Sequence, residues 1–347
     1  HPVQPRALHL LPAPTSAATM SHPMTHRVLV TGAAGYLGSG LVESLAQRAG
    51  RSADPACIVA SDLREVPPER RLPGVEYSAL DVRDPQLREV LARHTIDTVV
   101  HLAAIVTPGP KSNRAFEYSV DVLGTRNVLE ACVASGVRRI VVTSSGAAYG
   151  YHADSPAWLT EDDPVRGNEA FAYSYHKRLV EEMLAEYRRT QPALEQVVLR
   201  VGTILGETTR NQITALFERP RLLAIKGSAS PFVFIWDRDV AGAIEHAIFD
   251  GPAGIYNVAG DGALSIQEIA ARLGKRCITL PAGLLRAVLA VLHPLGVSRY
   301  GSEQVDFLRY RPVLDNRRLK EVFGYVPQLT SAEVFELYRR SHGLGPA

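Results

Sequence analysis

The chain has 347 residues, of which 46% are hydrophobic and 21% charged, and its 38 basic and 36 acidic residues give a formal net charge of +2. This is the composition of a folded globular protein with a sizeable core, and its balanced charge argues against a nucleic-acid partner. The cysteines Cys57, Cys132 and Cys277 are far apart and form no CxxC spacing. We therefore expect no metal site and a reducing, cytoplasmic compartment.

The first 26 residues contain no Asp or Glu and are rich in Pro, Ala and His. They lack the continuous apolar stretch of a signal peptide. We interpret residues 1–26 as a disordered extension or a cloning remnant, with an organelle presequence as the alternative.

From Arg27 onward, apolar runs rich in β-branched residues alternate with amphipathic segments of helix length. The runs are "RVLVTG", "CIVASDL", "EYSALDV", "TIDTVVHLAA", "RRIVVTSS" and "EQVVLRVG". This alternation predicts an α/β fold with a doubly wound parallel Rossmann-type sheet, formed by residues 27–202 together with about 232–262. The alternation loosens after Gly202. Residues 203–231 and 263–347 are therefore predicted to form a smaller, mostly C-terminal substrate-binding region on the carboxyl side of the sheet.

The first strand leads into the glycine turn "TGAAGYLG", in which Gly32, Gly35 and Gly38 have the spacing GxxGxxG. Such a turn lets the backbone approach a pyrophosphate and directs the first amides of the following helix, here at Tyr36 and Leu37, toward it. On its own, the same spacing also fits a tight strand–helix corner.

The ends of the next strands support a dinucleotide site. Asp62 ends the second strand, where a carboxylate can accept hydrogen bonds from the adenosine ribose, and this favours NAD over NADP. Arg64, two residues later, can soften that preference. The other residues assigned to the cofactor follow the second, third and fourth strands: Leu63, Asp81, Val82, Leu102, Ala103 and Ala104.

The segment "YSYHK" places Tyr173 and Lys177 four residues apart on a predicted helix, and hence on one face. A phenol with a pKa near ~10 is a poor acid or base at neutral pH, but a nearby ammonium group stabilises the phenolate. Such a pair can exchange a proton with an alcohol or carbonyl. Tyr175 has no lysine four residues later and serves as an internal contrast.

Two serines, Ser144 and Ser145, end the fifth predicted strand in "VVTSSGAAYG". A hydroxyl at this edge of the sheet can hydrogen-bond the reacting oxygen of a substrate. The alternative is ordinary turn chemistry, for which serine is common.

Taken in order, these motifs resemble the extended short-chain dehydrogenase/reductase family, of the NAD-dependent epimerase/dehydratase type, from Arg27 to Thr330. The resemblance implies that Tyr173 is the acid/base and that Lys177, on the same helix, binds the nicotinamide ribose. It implies that Ser145 is the catalytic hydroxyl, with Ser144 the second candidate. It also implies hydride transfer between NAD and a small-molecule substrate, and a homodimer paired through the long helices.

Departures from the family pattern restrict the reactions and the classes of substrate that we expect. Sugar-nucleotide dehydratases carry an acidic residue where this chain has Gly146 and Ala147, so we do not expect dehydratase activity. Gly202 and Thr203 stand where many sugar-nucleotide enzymes have an Asn. The residues that we assign weakly to the substrate are Ser144, Gly146, Thr203 and Trp236, the last as an apolar wall.

The segment Leu280 to Val297 is strongly apolar, but Arg286, His293 and two prolines interrupt it. We predict a helix that packs on the core or lines an apolar pocket, and no stable membrane insertion; membrane association is the alternative.

Three functions fit the sequence. The leading hypothesis is an NAD-dependent oxidoreductase that acts on a secondary alcohol or ketone. The second is a sugar-nucleotide 4-epimerase with tightly bound NAD, which uses the same residues. The third is a non-catalytic dinucleotide sensor, a class that can lose the Tyr or Lys; here both are present.

Overall fold

A computed structural model of the chain describes residues 24–105, 109 and 111–346. Residues 1–23 of the predicted extension lie outside these described residues. The last residue of that predicted extension, His26, is held against the following domain, because its backbone N–H donates to Asp54 Oδ1 at 2.7 Å.

The described strands are short, as is typical of an α/β domain. In chain order they are β1 (Arg27–Thr31), β2 (Cys57–Asp62), β3 (Glu76–Ala79), β4 (Thr98–His101), β5 (Arg139–Ser145), β6 (Glu195–Val201), β7 (Thr203–Leu205), β8 (Arg221–Ile225), β9 (Phe234–Trp236), β10 (Gly254–Val258) and β11 (Arg276–Leu280).

The α-helices alternate with these strands in the first half of the chain. They are α1 (Tyr36–Ser52), α2 (Leu87–Arg93), α3 (Arg114–Tyr118), α4 (Gly124–Ala134), α5 (Ala172–Thr190), α6 (Gln212–Phe217), α7 (Asp237–Phe249), α8 (Ile266–Leu273), α9 (Ala282–Leu292), α10 (Gln304–Arg309) and α11 (Ser331–Ser341).

Seven strands form one parallel sheet in the order β10-β6-β5-β4-β1-β2-β3. The strand order reverses between β1 and β4, and in open sheets of this kind ligands bind at the carboxyl ends of the strands near that reversal. The central strands are buried on both faces because helices cover both sides; Leu29 of β1, for example, lies between Val59 and Val99 and is fully buried. The predicted doubly wound parallel fold is confirmed.

Each face of the sheet has its own apolar core. Side chains of α1 and α7, including Leu41, Leu45 and Ile244, pack on one face. Side chains of α2, α4 and α5, including Leu129 and Leu184, pack on the other. The period of these apolar residues is helical, which is the pattern from which the sequence predicted the helices.

Two of the predicted helices differ in detail from the sequence-based expectation. The amphipathic segment "GSGLVESLAQRAG" predicts a helix that ends at Gly50, but α1 continues to Ser52, with Ala53 left-handed as its cap. Pro55 follows two residues later and disfavours a helical Asp54. The segment "NRAFEYSVDVLGTRNVLEACVASG" predicts one long helix, which is continuous from Arg114 to Ala134, but a wider π turn at Ser119–Leu123 joins α3 to α4.

The C-terminal region adds two small parallel sheets, β7–β9 and β8–β11, beside the central sheet. Its core is aromatic and joins residues far apart in sequence: Phe217, Phe232, Phe234, Phe335 and Tyr338. Within the described residues, none of the helices has both the length and the apolar composition needed to cross a bilayer.

Candidate active site

The glycine turn between β1 and α1 has no room for side chains at two of its three glycines. Gly32 has a φ of +66°, and a Cβ there would lie 2.9 Å from the amide nitrogen of Ala103. A Cβ at Gly38 would overlap the carbonyl oxygen of Gly32. Glycine at both positions therefore lets the first turn of α1 lie directly against the end of β1.

The N-terminus of α1 is arranged for an anion. Gly35, its N-cap, supplies no side-chain hydrogen bond, and the first turn contains no acidic residue. The amides of Tyr36, Leu37 and Gly38 have no acceptor within the helix. A Cβ on Gly35 would lie 3.2 Å from the carbonyl oxygen of Gly32. Apart from the chain neighbours of Gly35, no other described atom would lie within 4 Å of that Cβ. This set of free amides, with no acidic side chain in the first turn, fits a pyrophosphate group.

Asp62 lies against this turn. Its Oδ2 accepts from the backbone N–H of Ala34 at 2.9 Å, and its Oδ1 accepts from the N–H of Arg64 at the same distance. These bonds fix the carboxylate at the end of β2, where the predicted ribose contact would be made. The neighbouring Leu63 is exposed.

The predicted adenine residues Asp81 and Val82 follow β3. Arg83 Nη2 donates to Asp81 Oδ2 at 2.7 Å, and this bond lowers the pKa of the Asp81 carboxyl. Val82 backs onto the start of α4, where a Cβ on Gly124 would come within 2.9 Å of Val82 Cγ2. The Asp81 carboxylate thus already has a cationic partner on its exposed side.

The end of β4 is tied to β1 through a hydroxyl. Thr31 Oγ1 accepts from the backbone N–H groups of Leu102 and Ala103, at 3.0 and 3.2 Å, and lies 2.8 Å from His101 Nδ1. The other ring nitrogen of His101 lies 3.0 Å from Thr125 Oγ1 on α4. Burial, followed by the positive charge of Lys177, lowers the pKa of His101 to about 3, so the imidazole is neutral. Ala104, the next residue after Ala103, is partly exposed.

Tyr173 and Lys177 lie on the same face of α5, as the spacing predicts. Lys177 Nζ is 5.6 Å from the centre of the Tyr173 ring and donates to the carbonyl oxygen of Thr143 on β5 at 3.1 Å. The lysine side chain is buried, whereas Tyr173 is partly exposed. The carbonyl anchor on β5 thus holds the ammonium group beneath the exposed tyrosine.

Ser145 is the last residue of β5 and lies next to the N-terminus of α5. Its Oγ accepts from the backbone N–H of Ala147 at 3.0 Å. In turn, Ser174 Oγ donates to the Ala147 carbonyl oxygen at 2.6 Å, which joins the first turn of α5 to the turn after Ser145. Ser145 and the start of α5, which carries Tyr173 and Lys177, therefore lie at the same carboxyl edge of the sheet.

Ser144 has a different environment from Ser145, because consecutive strand residues face opposite sides of a sheet. Its hydroxyl is buried and donates to Glu181 Oε2 at 2.9 Å. Glu181 also receives two bonds from Arg200 on β6, at 2.7 and 2.8 Å. Ser144 is thus part of a buried ionic network, and its assignment to the substrate stays a prediction.

The other weakly assigned substrate residues lie in the regions that the sequence indicates. Gly146 faces Leu314, whose Cδ1 would be 3.2 Å from a Cβ on Gly146. Thr203 begins β7, and Trp236 ends β9, the strand that pairs with β7. The guanidinium carbon of Arg238 lies 5.3 Å from the centre of the Trp236 ring system. Whether these residues contact a substrate stays a prediction.

Two features near the site carry no recognisable sequence motif. Arg311 lies over the rings of Phe232 and Phe307, at 4.3 and 4.9 Å, and among the described residues its Nη1 is out of contact with solvent and has no hydrogen-bond partner. Burial lowers the pKa of Arg311. Phe307 in turn lies 5.0 Å from Tyr151, a tyrosine close enough to Tyr173 for their charges to interact.

The second feature is a tyrosine contact across the cofactor turn. The hydroxyl of Tyr36 bonds to Asp237 of α7 and lies 3.1 Å from Thr209 Oγ1. The sequence assigns only the backbone amide of Tyr36 to the cofactor. It does not predict the contact of the hydroxyl with Asp237, because the two residues are 201 positions apart and no local pattern links them.

Comparison with known proteins agrees with this arrangement. Residues 28–259 match the NAD dependent epimerase/dehydratase family. An uncharacterized protein of Mycobacterium tuberculosis (strain H37Rv) is 28% identical over 331 residues, which cover 94% of this chain and 86% of that protein. A UDP-glucose 4-epimerase of Erwinia amylovora is 30% identical over 190 residues, covering 54% of this chain and 56% of that protein.

Solved structures share the fold over nearly the whole chain. The UDP-glucose 4-epimerase of Thermus thermophilus in complex with NAD has a TM-score of 0.66 and 25% identity, covering 91% of this chain and 98% of that chain. MoeE5 in complex with UDP-glucose and NAD has a TM-score of 0.65 and 26% identity, covering 91% and 99%. The chain therefore belongs to the NAD dependent epimerase/dehydratase family.

Proposed function

We propose that the protein is an NAD-dependent oxidoreductase of the extended short-chain dehydrogenase/reductase type, which transfers hydride between the nicotinamide and a secondary alcohol or ketone. One observation carries this proposal. Tyr173 and Lys177 share one face of α5, with Lys177 bonded to the Thr143 carbonyl of β5, and Ser145 ends that same strand at the carboxyl edge of the sheet. The N-terminus of α1, whose first amides suit a pyrophosphate, follows β1 of the same sheet.

The residues of the site divide between cofactor and substrate. Gly32, Gly35 and Gly38 would cradle the pyrophosphate of NAD, and Asp62 would accept from its adenosine ribose. When bound, NAD supplies the acceptor or donor of the hydride. The NAD complexes of the related structures support NAD binding. The proposed preference for NAD over NADP rests on Asp62, because its carboxylate would repel the extra phosphate.

The side chains of the protein would carry out the proton transfer. Tyr173 would take the proton from the substrate hydroxyl during oxidation and return it to the carbonyl oxygen during reduction. Lys177 stabilises the phenolate by its charge, and the bond to the Thr143 carbonyl holds it in place. Ser145 would donate a hydrogen bond to the same substrate oxygen.

Water elimination is not part of the proposal. The position after Ser145, which is acidic in sugar-nucleotide dehydratases, is Gly146, and a side chain there would meet Leu314 at 3.2 Å. The site therefore lacks a carboxyl group at this position, and Leu314 would have to shift to admit one. Elimination next to a carbonyl needs such a positioned acid or base.

A sugar-nucleotide 4-epimerase is the second candidate, and Arg311 is the observation that favours it. A partly buried guanidinium with an unpartnered Nη1, close to Tyr151, is suited to an anionic substrate group. The UDP-glucose 4-epimerases among the relatives agree with this reading. In that reaction the same Tyr173 and Lys177 would serve, and the hydride would return to the substrate.

Three coarser expectations remain proposals. The division into a Rossmann domain and a C-terminal substrate-binding region follows the loosening of the alternation after Gly202. A homodimer through α4 and α5 follows the family resemblance, and sedimentation at several concentrations tests it. A cytoplasmic location follows the scarcity of cysteines.

The test of the proposed function is turnover of a panel of ketones and secondary alcohols, followed by the absorbance of the reduced cofactor. We expect at least one member with an apolar body to react, and the rate to depend on NAD rather than NADP. If the protein binds NAD, turns over no member of the panel and interconverts two uridine diphosphate sugars, the epimerase replaces the oxidoreductase.

A further inference from the structure

Helix α9 is apolar on both of its faces, although the protein core covers only one. Leu285 is buried against Ile225 and Val305, and Leu289 packs on the same cluster. A helix in a globular protein normally has a polar outer face. In α9 the outer positions Leu284, Val288 and Val291 are apolar and exposed.

The outer residues of α9 form a continuous stripe. Leu284, Val288 and Val291 follow each other at intervals of four and three residues, which is the spacing of one helix face, and Leu295 lies in the turn just after α9. Their exposed fractions run from 41% at Val288 to 69% at Leu295, and Val297 in the following turn is 71% exposed. Single exposed aliphatic residues are ordinary, but a contiguous stripe marks an interaction surface.

The two-stranded sheet β8–β11, which precedes α9, also exposes apolar side chains. Ile278 of β11 pairs with Leu223 of β8, and both side chains are exposed. Two residues earlier on the same strands, Arg276 pairs with Arg221, and two like charges directly opposite each other are unfavourable by themselves. In the described part of the chain, neither arginine takes part in an ion pair. An anionic surface would relieve this repulsion.

In the segment that contains α9, residues 269–302, all the charged side chains are positive. Residues 269–302 contain no Asp or Glu, but they contain five basic residues, Arg272, Lys275, Arg276, Arg286 and Arg299. The chain as a whole has nearly equal numbers of both signs, with a net charge of +2. Two of these cations are paired with carboxylates from other segments, Arg272 with Glu336 and Arg286 with Asp306. Exposed aliphatic side chains with an excess of cations beside them are the composition of helices that lie in the interface of an anionic membrane.

We propose that this surface, defined by Leu284, Val288, Val291, Leu295 and Val297 with Arg221, Arg276 and Arg299, docks the protein peripherally on a bilayer rich in anionic lipid. The aliphatic side chains enter the boundary between headgroups and acyl chains, and the arginines bind the headgroup phosphates. Both contributions are required, because neither a short apolar stripe nor a few arginines alone holds a protein on a membrane. The proposal does not depend on the chemistry at Tyr173.

The test is co-sedimentation of the full chain with vesicles of phosphatidylcholine alone or mixed equally with phosphatidylglycerol. We expect binding to the mixed vesicles, much weaker binding to phosphatidylcholine alone, and release at high salt. The double variant Val291→Asp with Leu295→Asp should bind at least about tenfold more weakly. The double variant Arg221→Ser with Arg276→Ser should lose about 25-fold, from about fivefold for each arginine near an anionic surface.

A matched control is Val326→Asp, at a residue that is 65% exposed but lies outside this surface. It should bind the mixed vesicles as the parent does, and thermal unfolding should show that all variants remain folded. The proposal is overturned if the parent does not sediment with mixed vesicles, or if binding is insensitive to both double variants. It is equally overturned if the protein is a dimer that Val291→Asp with Leu295→Asp dissociates, because a second copy then covers the surface.

Discussion

At the residue scale, the glycine turn combines two different requirements. Gly32 and Gly38 are needed because a Cβ would clash with backbone atoms, whereas Gly35 is the N-cap of α1, whose first amides would bind the pyrophosphate. Only the second feature concerns a ligand. The spacing GxxGxxG in the sequence predicts the turn. It does not distinguish a glycine required by close packing from one required by a ligand, because both requirements select the same residue.

Replacing Gly38 by Ala should distort the turn, because its Cβ would overlap the Gly32 carbonyl oxygen. We expect a loss of about 1–3 kcal/mol in unfolding free energy and the loss of the rise in melting temperature caused by NAD. Denaturant unfolding and thermal scans with and without NAD measure both effects.

Gly40→Ala is the matched control, since it lies on the same helix and a Cβ there has nothing within 4 Å. It should stabilise the helix by up to about 1 kcal/mol and leave the NAD-induced shift unchanged. Equal behaviour of the two alanine variants would contradict this account of the turn.

Replacing Tyr173 by Phe should lower kcat by about 10²–10⁴-fold, because the group that exchanges the proton is removed while the ring remains. The NAD-induced rise in melting temperature should persist. The rate is measured with whichever alcohol or ketone the parent enzyme turns over.

Tyr175→Phe, two residues away on the same helix, should change the rate little, because Tyr175 has no lysine one turn later and lies beside Arg114 and Arg178. A large loss of activity in Tyr175→Phe with an active Tyr173→Phe would reverse the assignment.

At the element scale, α5 is held on the sheet by buried polar contacts one turn beyond Lys177. Burial lowers the pKa of Arg200, but its bonds to Glu181 outweigh this effect and raise the pKa above its usual value. The side chains of both residues are at most 5% exposed. Tyr173, Lys177 and Glu181 share one face of the helix, so the ion pair holds Tyr173 and Lys177 in register with the sheet.

Replacing Glu181 by Ala should cost about 3–5 kcal/mol of unfolding free energy, because it leaves the Arg200 charge buried and unpaired. Replacing both residues by Leu and Met should cost less than the sum of the single changes. Denaturant unfolding of the four proteins of this cycle measures the coupling.

The exposed pair Arg178–Glu182, on the same helix, is the control. Glu182→Ala should change the unfolding free energy by less than about 1 kcal/mol. A comparable cost for Glu181→Ala would show that the Glu181–Arg200 pair does not hold α5 in place.

His101 joins β1, β4 and α4, and it predicts a pH dependence of stability. Its pKa is about 3 in the folded protein and about 6.5 in the unfolded chain. Between these values the unfolded chain binds the proton and the folded protein does not, so stability falls as the pH decreases from 6.5 toward 3.

Between pH 7 and 5.5, the parent should therefore lose about 1 kcal/mol more unfolding free energy than His101→Gln, which keeps hydrogen-bonding groups but does not titrate. Urea unfolding at the two pH values measures the difference. An equal loss in parent and variant would place the imidazole in contact with solvent.

At the scale of the whole molecule, the sequence predicts the central sheet well because its signals are local. β-branched runs and amphipathic helices alternate along the chain, which predicts a parallel sheet. In such sheets, ligands bind at the carboxyl ends of the strands, so the edge that carries the site is predicted as well. The positions of Tyr173 and Lys177 are predicted for the same reason, since they lie one turn apart on one helix.

The C-terminal region could not be predicted in this way, because its structure depends on contacts between distant segments. β8 pairs with β11 and β7 with β9, and the aromatic core joins Phe217 to Tyr338. Arg311 comes close to Tyr151 only through these contacts. The segment Leu280 to Val297 shows the same limit: the sequence predicts a helix there, but not that its outer apolar face stays uncovered.

The most direct test of the central claim is to follow deuterium from the nicotinamide to the product. The protein is incubated with reduced NAD deuterated at the transferred position and a ketone, and the alcohol is analysed by mass spectrometry. The proposed function predicts one deuterium on the new carbinol carbon with the parent, and about 10²–10⁴-fold slower formation of the same labelled alcohol with Tyr173→Phe. An unlabelled alcohol, or no alcohol at all, from a parent protein that binds the cofactor would contradict it.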